Sequence, residues 1–275
     1  MIDKYFSKIG HLKLSDIKQS HITNFQTELL STLSAKTVKD VSCLLKQCLK
    51  RNNIILDFKI CSHNKREIHT LQNDDYYKLL HYLLLATDSH KLGTVLSLMC
   101  GMRIGEICAL QWKDIDVEKG IINVTKTVQR IKNLSNKGNS KTIVIIDTPK
   151  TQNSIRKIPI PACLSFLHDL EQSPDTYVLT GTSQPMEPRT MQNIFKRQLA
   201  ECNIPDINFH ALRHTFATKC TESGIDVKCL SEFLGHYCTS FTLDTYVHPT
   251  MDLKIIQMQK LSQNIDGQIY GQKNS

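Results

Sequence analysis

Gly101-Met102-Arg103-Ile104-Gly105-Glu106, residues 101–106, is the stretch on which the fold turns. Residues 91–100 just before it are apolar at helical spacing, and Gly101 can end that helix in the left-handed conformation that glycine adopts at no steric cost. Arg103 would then project from a tight junction ahead of a second, short helix containing Glu106 and Leu110. A junction of this kind holds a functional side chain rigidly.

The pattern changes on the C-terminal side. Ile121-Ile122-Asn123-Val124, Thr142-Ile143-Val144-Ile145-Ile146 and Ile155-Arg156-Lys157-Ile158-Pro159-Ile160 are rich in β-branched residues and predict short strands. Helical periodicity returns from there to residue 263, with Gly224 and Gly235 placed as C-terminal stops. Upstream, Asn73, Asp74 and Asp75 suit a helix N-terminus, where carboxylates meet the positive end of the helix dipole. Ser15 is a candidate cap for a helix over residues 16–31 with Ile17, Ile22, Phe25 and Leu29 or Leu30 at helical spacing. Ser34 or Lys36 opens another, with Val38, Val41, Leu44, Leu45 and Leu49 as its apolar face and Lys36, Lys39, Lys46, Lys50 and Arg51 around it. The polar stretch over residues 57–70 lacks periodicity and reads as a linker. The expected fold is mainly α with a small antiparallel β-sheet, divided into residues 1–69 and residues 70–275.

Charge is distributed unevenly over the 275 residues. Residues 1–69 hold 12 Lys/Arg against 6 Asp/Glu, and the remainder 22 against 20, within a total net charge of +8. A field concentrated at one end points to a polyanion, because neutralising phosphates releases condensed counterions. The ten cysteines run from Cys43 to Cys238 without a C-x-x-C pair, which predicts reduced and mostly buried thiols and neither a zinc ribbon nor a thioredoxin-like site. No signal-peptide core and no apolar run of membrane-spanning length occurs, so a cytoplasmic protein with no membrane partner is expected.

Cleaving a phosphodiester with a side chain takes a nucleophile, charge to hold the nonbridging oxygens, and a proton for the departing alkoxide. Tyr246 offers a long, rigid hydroxyl. Arg103 and Arg213 offer planar forks that stay charged, and His210, three residues before Arg213, shares its helical face if the helix starts near His210. His236, just after Gly235, can donate to a phosphate oxygen, and Lys150, read as lying at a hairpin edge, is the candidate general acid. Taken singly these residues have plainer readings: Arg103 can ion-pair with Glu106 across i,i+3, and Lys137, Lys141 and Lys157 rival Lys150. Asp114, Asp116 and Glu118 alternate as Mg²⁺ ligands on one strand face would, which keeps a metal-dependent nuclease in view. His210 and His214 have zinc-like i,i+4 spacing but no H-E-x-x-H pattern, so His214 reads as a packed side chain.

Four stretches in this order resemble the tyrosine recombinase family, the integrases of phages and conjugative transposons: GMRIGEICALQWKDID from Gly101, TPKTQNSIRKIPIP from Thr148, FHALRHTFA from Phe209 and LGHYCTSFTLDTYVH from Leu234. The resemblance spans residues about 70 to 250, with residues 12–50 more loosely like that family's core-site DNA-binding helices. It implies a helical core-DNA-binding domain followed by a catalytic domain. Arg103, Lys150, His210, Arg213 and His236 would surround a scissile phosphate in double-stranded DNA, and Tyr246 would attack it to form a 3′-phosphotyrosyl intermediate. Bond energy is kept through each exchange, so neither ATP nor a metal cofactor is expected. The implied assembly is a homotetramer on two DNA sites, with DNA-bending accessory proteins as further partners, during integration or excision of a mobile element. Such integrases place an arm-site domain and another core-binding helix ahead of the segment that begins here, so the chain reads as N-terminally short. That raises a DNA-binding remnant as a second reading, and a type IB topoisomerase as a third. Residues 252–261 place Leu253, Ile256 and Leu261 on one side of a helix suited to docking on a neighbouring subunit or on its own domain. Arg213→Lys keeps the charge and loses the fork, so strand cleavage should be crippled; a near-normal rate in a single-turnover assay would contradict the role given to Arg213.

Overall fold

The computed structural model describes residues 5–56, 58, 70–85, 88–133, 141–148, 154–170 and 172–235, with 242, 251, 255, 258, 259 and 262. The chain forms two compact units, residues 1–67 and 68–275. Lys150, His236, Tyr246, Leu253, Ile256 and Leu261 lie outside the described residues.

In the first unit, α1 (Gln19–Leu30) and α2 (Ala35–Arg51) pack through Ile22, Phe25 and Leu29 against Val38, Val41, Leu45 and Leu49. The helix expected from residue 16 begins later. Ser15 Oγ bonds Asp16 Oδ1 at 3.0 Å instead of capping, inside a single 3-10 turn over Leu14–Asp16, and buried Ile17 follows it. Ser34 does cap α2, its Oγ accepting from the Thr37 N–H at 3.3 Å. Leu44 is 41% exposed, because it sits to one side of the stripe formed by positions 38, 41, 45 and 49. Buried between the two helices, Gln26 Nε2 donates to Ser42 Oγ at 3.0 Å, which satisfies polar atoms that would otherwise destabilise the interface.

The second unit is built around α4 (Ser89–Cys100), preceded by α3 (Asn73–Leu85). Asp88 caps α4 by accepting from the Lys91 N–H at 2.7 Å. Leu92, Val95, Leu96, Leu98 and Cys100 are all buried, so α4 is enclosed on every side. Its hydroxyls are tolerated there because each has a partner: Thr94 Oγ1 meets Gln198 Oε1 at 2.6 Å, and Ser97 Oγ meets Met102 O at 3.1 Å. Gly101 ends α4 at φ 64°, and α5 (Ile104–Cys108) follows at once. The expected extension of α5 through Leu110 does not form. The chain leaves the helix to bond with residues 176–178, with Leu110 O accepting from the Val178 N–H at 2.9 Å.

Two antiparallel sheets stand where one was expected. β1 (Ile115–Asp116), β2 (Ile121–Val124) and β5 (Arg156–Pro159) lie in the order β1-β2-β5, with Ile122 opposite Ile158 and Val124 opposite Arg156. β3 (Thr127–Lys132) pairs with β4 (Thr142–Asp147) in a separate hairpin. β3 escapes the apolar-run criterion because Gln129, Arg130 and Lys132 interrupt it. The hairpin connection is therefore residues 133–141. Lys150 falls in the connection from β4 to β5, strands of different sheets, and not at a hairpin edge as expected. Nor do Asp114, Asp116 and Glu118 share a strand face. Asp114 sits in a 3-10 turn, Asp116 ends the two-residue β1 with its carboxylate 2.8 Å from Lys119 Nζ, and Glu118 lies in the turn beyond.

Further helices with described bounds are α6 (Leu167–Leu170), α7 (Pro188–Glu201), α8 (His210–Glu222) and α9 (Val227–Leu234). Phe216, Ala217 and Cys220 of α8 form a small core with Leu230 and Leu234 of α9. Among the described cysteines Cys100, Cys108 and Cys220 are buried, whereas Cys48, Cys163 and Cys229 are exposed, so the thiols are free but not mostly buried. No helix among the described residues is long and apolar enough to cross a membrane.

Gly101 leaves no room for a side chain. A Cβ there would stand 2.4 Å from the Phe216 ring, in backbone at positive φ. Gly101→Ala should lower stability by about 2–4 kcal/mol, the sum of strain and overpacking, read as a fall in the denaturant midpoint at unchanged slope.

Candidate active site

Arg103, His210 and Arg213 come from two helix starts that face the end of a third helix. α4 stops at Gly101, so Arg103 stands at the N-cap of α5, and its backbone N–H donates to Glu106 Oε2 at 2.9 Å. His210 is the first residue of α8, and Arg213 follows one turn later on the same face, as the i,i+3 spacing requires. The Asn208 side chain accepts from the Ala211 N–H at 3.1 Å, fixing that first turn.

Both arginines reach the C-terminus of α9, together with one that the sequence reading did not single out. Arg156 on β5 donates from Nε to Phe233 O at 2.6 Å, Arg213 from Nη2 to Leu234 O, and Arg103 from Nη2 to Gly235 O at 3.4 Å. Three consecutive carbonyls, which a helix C-terminus leaves without intrahelical partners, are thus each met by a guanidinium at the negative end of the helix dipole. Arg213 also donates from Nη1 to Gly101 O at 2.7 Å, tying α8 to the end of α4. Gly235 then turns the chain at φ 60°, immediately before His236.

Glu106 joins two of the three arginines. Its Oε1 accepts from Arg103 Nη1 at 2.8 Å and Arg156 Nη1 at 3.0 Å, and its Oε2 accepts from Arg156 Nη2 at 2.8 Å. Burial, leaving Glu106 4% exposed, would raise its pKa, but the Arg156 fork and the Arg103 charge overcome that and hold it down at about 2. Its folded value lies below its unfolded one, so the stabilisation is complete above the ordinary carboxylate range and is lost as pH falls toward 2. The i,i+3 pair with Arg103 does form, but as one edge of a buried network and not as an exposed helix pair.

Three guanidinium groups against one carboxylate leave the cluster with a local surplus of positive charge. Arg213 is 1% exposed and Arg156 is also buried, whereas the Arg103 side chain is 34% exposed and is the open cation of the set. His210 is an exposed residue, yet burial of part of its ring comes first among the causes that push its pKa down to about 4, followed by the His214 imidazole packed edge-on at 4.7 Å and the charges of Arg213 and Arg103. Near neutral pH His210 is therefore an uncharged imidazole with a hydrogen bond to give. His214, half-buried, is likewise shifted down by burial and Arg213. The described residues thus bring together Arg103, His210 and Arg213, and add Arg156 and Glu106.

Against this geometry, the model of the phage integrase family matches residues 69–252. The chain belongs to that family. The curated relatives of this phage integrase family member include a protein named tyrosine recombinase XerC-like from Caldanaerobacter subterraneus subsp. tengcongensis, 29% identical over 88% of this chain and 70% of that protein. Its fold is shared with the Tn1549 transposon integrase in complex with transposon right end DNA, at TM-score 0.71 and 24% identity over 93% of this chain and 89% of that one. A lambda integrase tetramer bound to a Holliday junction aligns at TM-score 0.54 and 19% identity over 90% and 72%.

Arg156 and Glu106 could have been found from the sequence. In the alternation of β5, Arg156 shares the inward side with Ile158, and a charge at an inward position needs a buried partner. The titration of His210 tests its surroundings as a whole. In a histidine NMR titration the resonance missing from His210→Asn should have its midpoint near pH 4; a midpoint near the ordinary 6.5 would mean that burial, His214 and the two arginines do not act on it as described.

Proposed function

We propose that this chain is a site-specific DNA recombinase that cuts and rejoins duplex DNA through a 3′-phosphotyrosyl intermediate, during integration or excision of a mobile element. The observation that carries this reading is the cluster of Arg103, Arg156 and Arg213 around the α9 terminus. Burial first, then the His214 imidazole and the charges of Arg213 and Arg103, keep the neighbouring His210 uncharged, and an entering phosphodiester would offset the cluster's positive surplus. In the proposed step Tyr246 Oη attacks phosphorus, the bond to the 5′ oxygen breaks, and Lys150 gives that oxygen its proton. Arg103, Arg213, His210 and His236 hold the nonbridging oxygens. The products are a phosphotyrosine on the 3′ side and a free 5′-hydroxyl; attack by the 5′-hydroxyl of a partner strand reverses the step and reseals the backbone. The phosphoester count is unchanged throughout, so the reaction needs no nucleotide hydrolysis.

In this reading the basic α2 of the first unit contributes phosphate contacts that position the duplex, and the second unit carries the chemistry. The working assembly is a homotetramer on two DNA sites, by analogy with the lambda integrase tetramer on a Holliday junction. DNA-bending accessory proteins would assist it, and the free thiols fit a reducing cytoplasm.

A nicked suicide substrate provides the test. Release of the short 5′-hydroxyl fragment beside the nick should trap the chain covalently on DNA, and Tyr246→Phe should abolish the adduct. An adduct that survives Tyr246→Phe, or cleavage that leaves no protein on the DNA, would overturn the reading.

A further inference from the structure

Arg156 is engaged differently from Arg103. Its Nε donates to Phe233 O, its Nη1 to both Glu106 Oε1 and Ser154 O, and its Nη2 to Glu106 Oε2, at 2.6 to 3.1 Å. Four of the five N–H donors of the guanidinium are thus used within the protein, and the side chain is 5% exposed. Its bonds, unlike those of Arg103, reach a carboxylate, a helix-terminal carbonyl and a loop carbonyl at once. What it touches is the carboxylate that holds Arg103, the second-last carbonyl before Gly235 at the end of α9, and the last part of the connection that carries Lys150.

The geometry points to Arg156 as a positioning residue for strand cleavage, one that sets the α9 terminus, and with it the start of the chain leading to His236 and Tyr246, in register with Arg103. This rests on the reading of Tyr246 as nucleophile. The planar fork is what performs the task. Two nitrogens lie along the Glu106 carboxylate while Nε, at a fixed angle to them, meets Phe233 O; a single ammonium cannot hold both in one plane. Loss of the fork would remove the Phe233 contact and the direct bridge from Glu106 to it, leaving the α9 terminus to Arg213 at Leu234 O and to Arg103 at Gly235 O, the longest of the three bonds. The nucleophile would then be presented from a less firmly fixed terminus, and displacements on the order of 1 Å can cost about 100-fold in rate.

Arg156→Lys in the full chain tests this, because it keeps a cation beside the buried Glu106. The substrate is a nicked duplex on which the unaltered chain forms its adduct, and the rate constant is taken from prebound complexes, so that only folded, DNA-bound protein is counted. The expected result is unchanged DNA affinity with adduct formation slowed about 100-fold. A second substrate, carrying sulfur in place of the bridging 5′ oxygen, separates the two ends that Arg156 touches. When Tyr246 attacks, the P–S bond breaks and a thiolate departs without needing a proton, so a defect on the Lys150 side vanishes while a misplaced nucleophile stays slow. Persistence of the slow rate supports the assignment. Restoration by sulfur would place Arg156 with the leaving group and overturn it, as would a wild-type rate on the oxygen substrate. If the unaltered chain forms no Tyr246-dependent adduct, the nucleophile reading falls and this inference falls with it.

Discussion

The end of α9 is where this fold meets its chemistry. A helix terminus leaves carbonyls unsatisfied, and here Phe233, Leu234 and Gly235 present three to guanidinium groups from β5, α8 and the α4–α5 junction. Hydrogen bonds to charged donors contribute about 1.5–3 kcal/mol each, more than neutral ones, and these replace contacts that water would otherwise supply. Elements far apart in the sequence are thereby held against one short helix. The arrangement would be unstable if the three cations faced only one another. Glu106 offsets two of them, and its four charge-assisted bonds, one from the Arg103 backbone, account for a buried carboxylate that stays ionised.

Stability and reactivity draw on the same residues. Breaking a buried ion pair by removing one partner costs about 3–5 kcal/mol, so Glu106 is constrained whatever the enzyme does. Yet the same cluster keeps surplus positive charge under low exposure, where a field acts more strongly than in water. The charges of Arg213 and Arg103 add to burial and to the His214 imidazole in holding His210 uncharged. Such a preorganised site needs little rearrangement when a phosphodiester enters, which is the condition for electrostatic stabilisation of a developing charge.

Much of this was legible in the chain itself, for physical reasons that differ by element. Gly101 announced the junction because its backbone angle favours glycine, and the start of α8 at His210 placed His210 and Arg213 on one face. Strands β2, β4 and β5 were visible as β-branched runs, but β3 was not, since Gln129, Arg130 and Lys132 interrupt its apolar residues. The separation into two sheets is a matter of pairing partners, which spacing does not encode, and it moved Lys150 from a hairpin to a crossing between sheets. Arg156 went unread because the strand reading stopped at propensity. The helix expected from about residue 16 forms but starts at Gln19, and Ser15 bonds Asp16 instead of capping it.

The acceptors at the end of α9 are main-chain oxygens. Substitution at Phe233 can change packing without touching the hydrogen bond that its carbonyl makes, since every residue type offers the same oxygen. Paired substitutions between the arginines and residues 233–235 would therefore carry no trace of these bonds. Their constraint falls on the donors alone, and the three-dimensional view reveals what those donors hold.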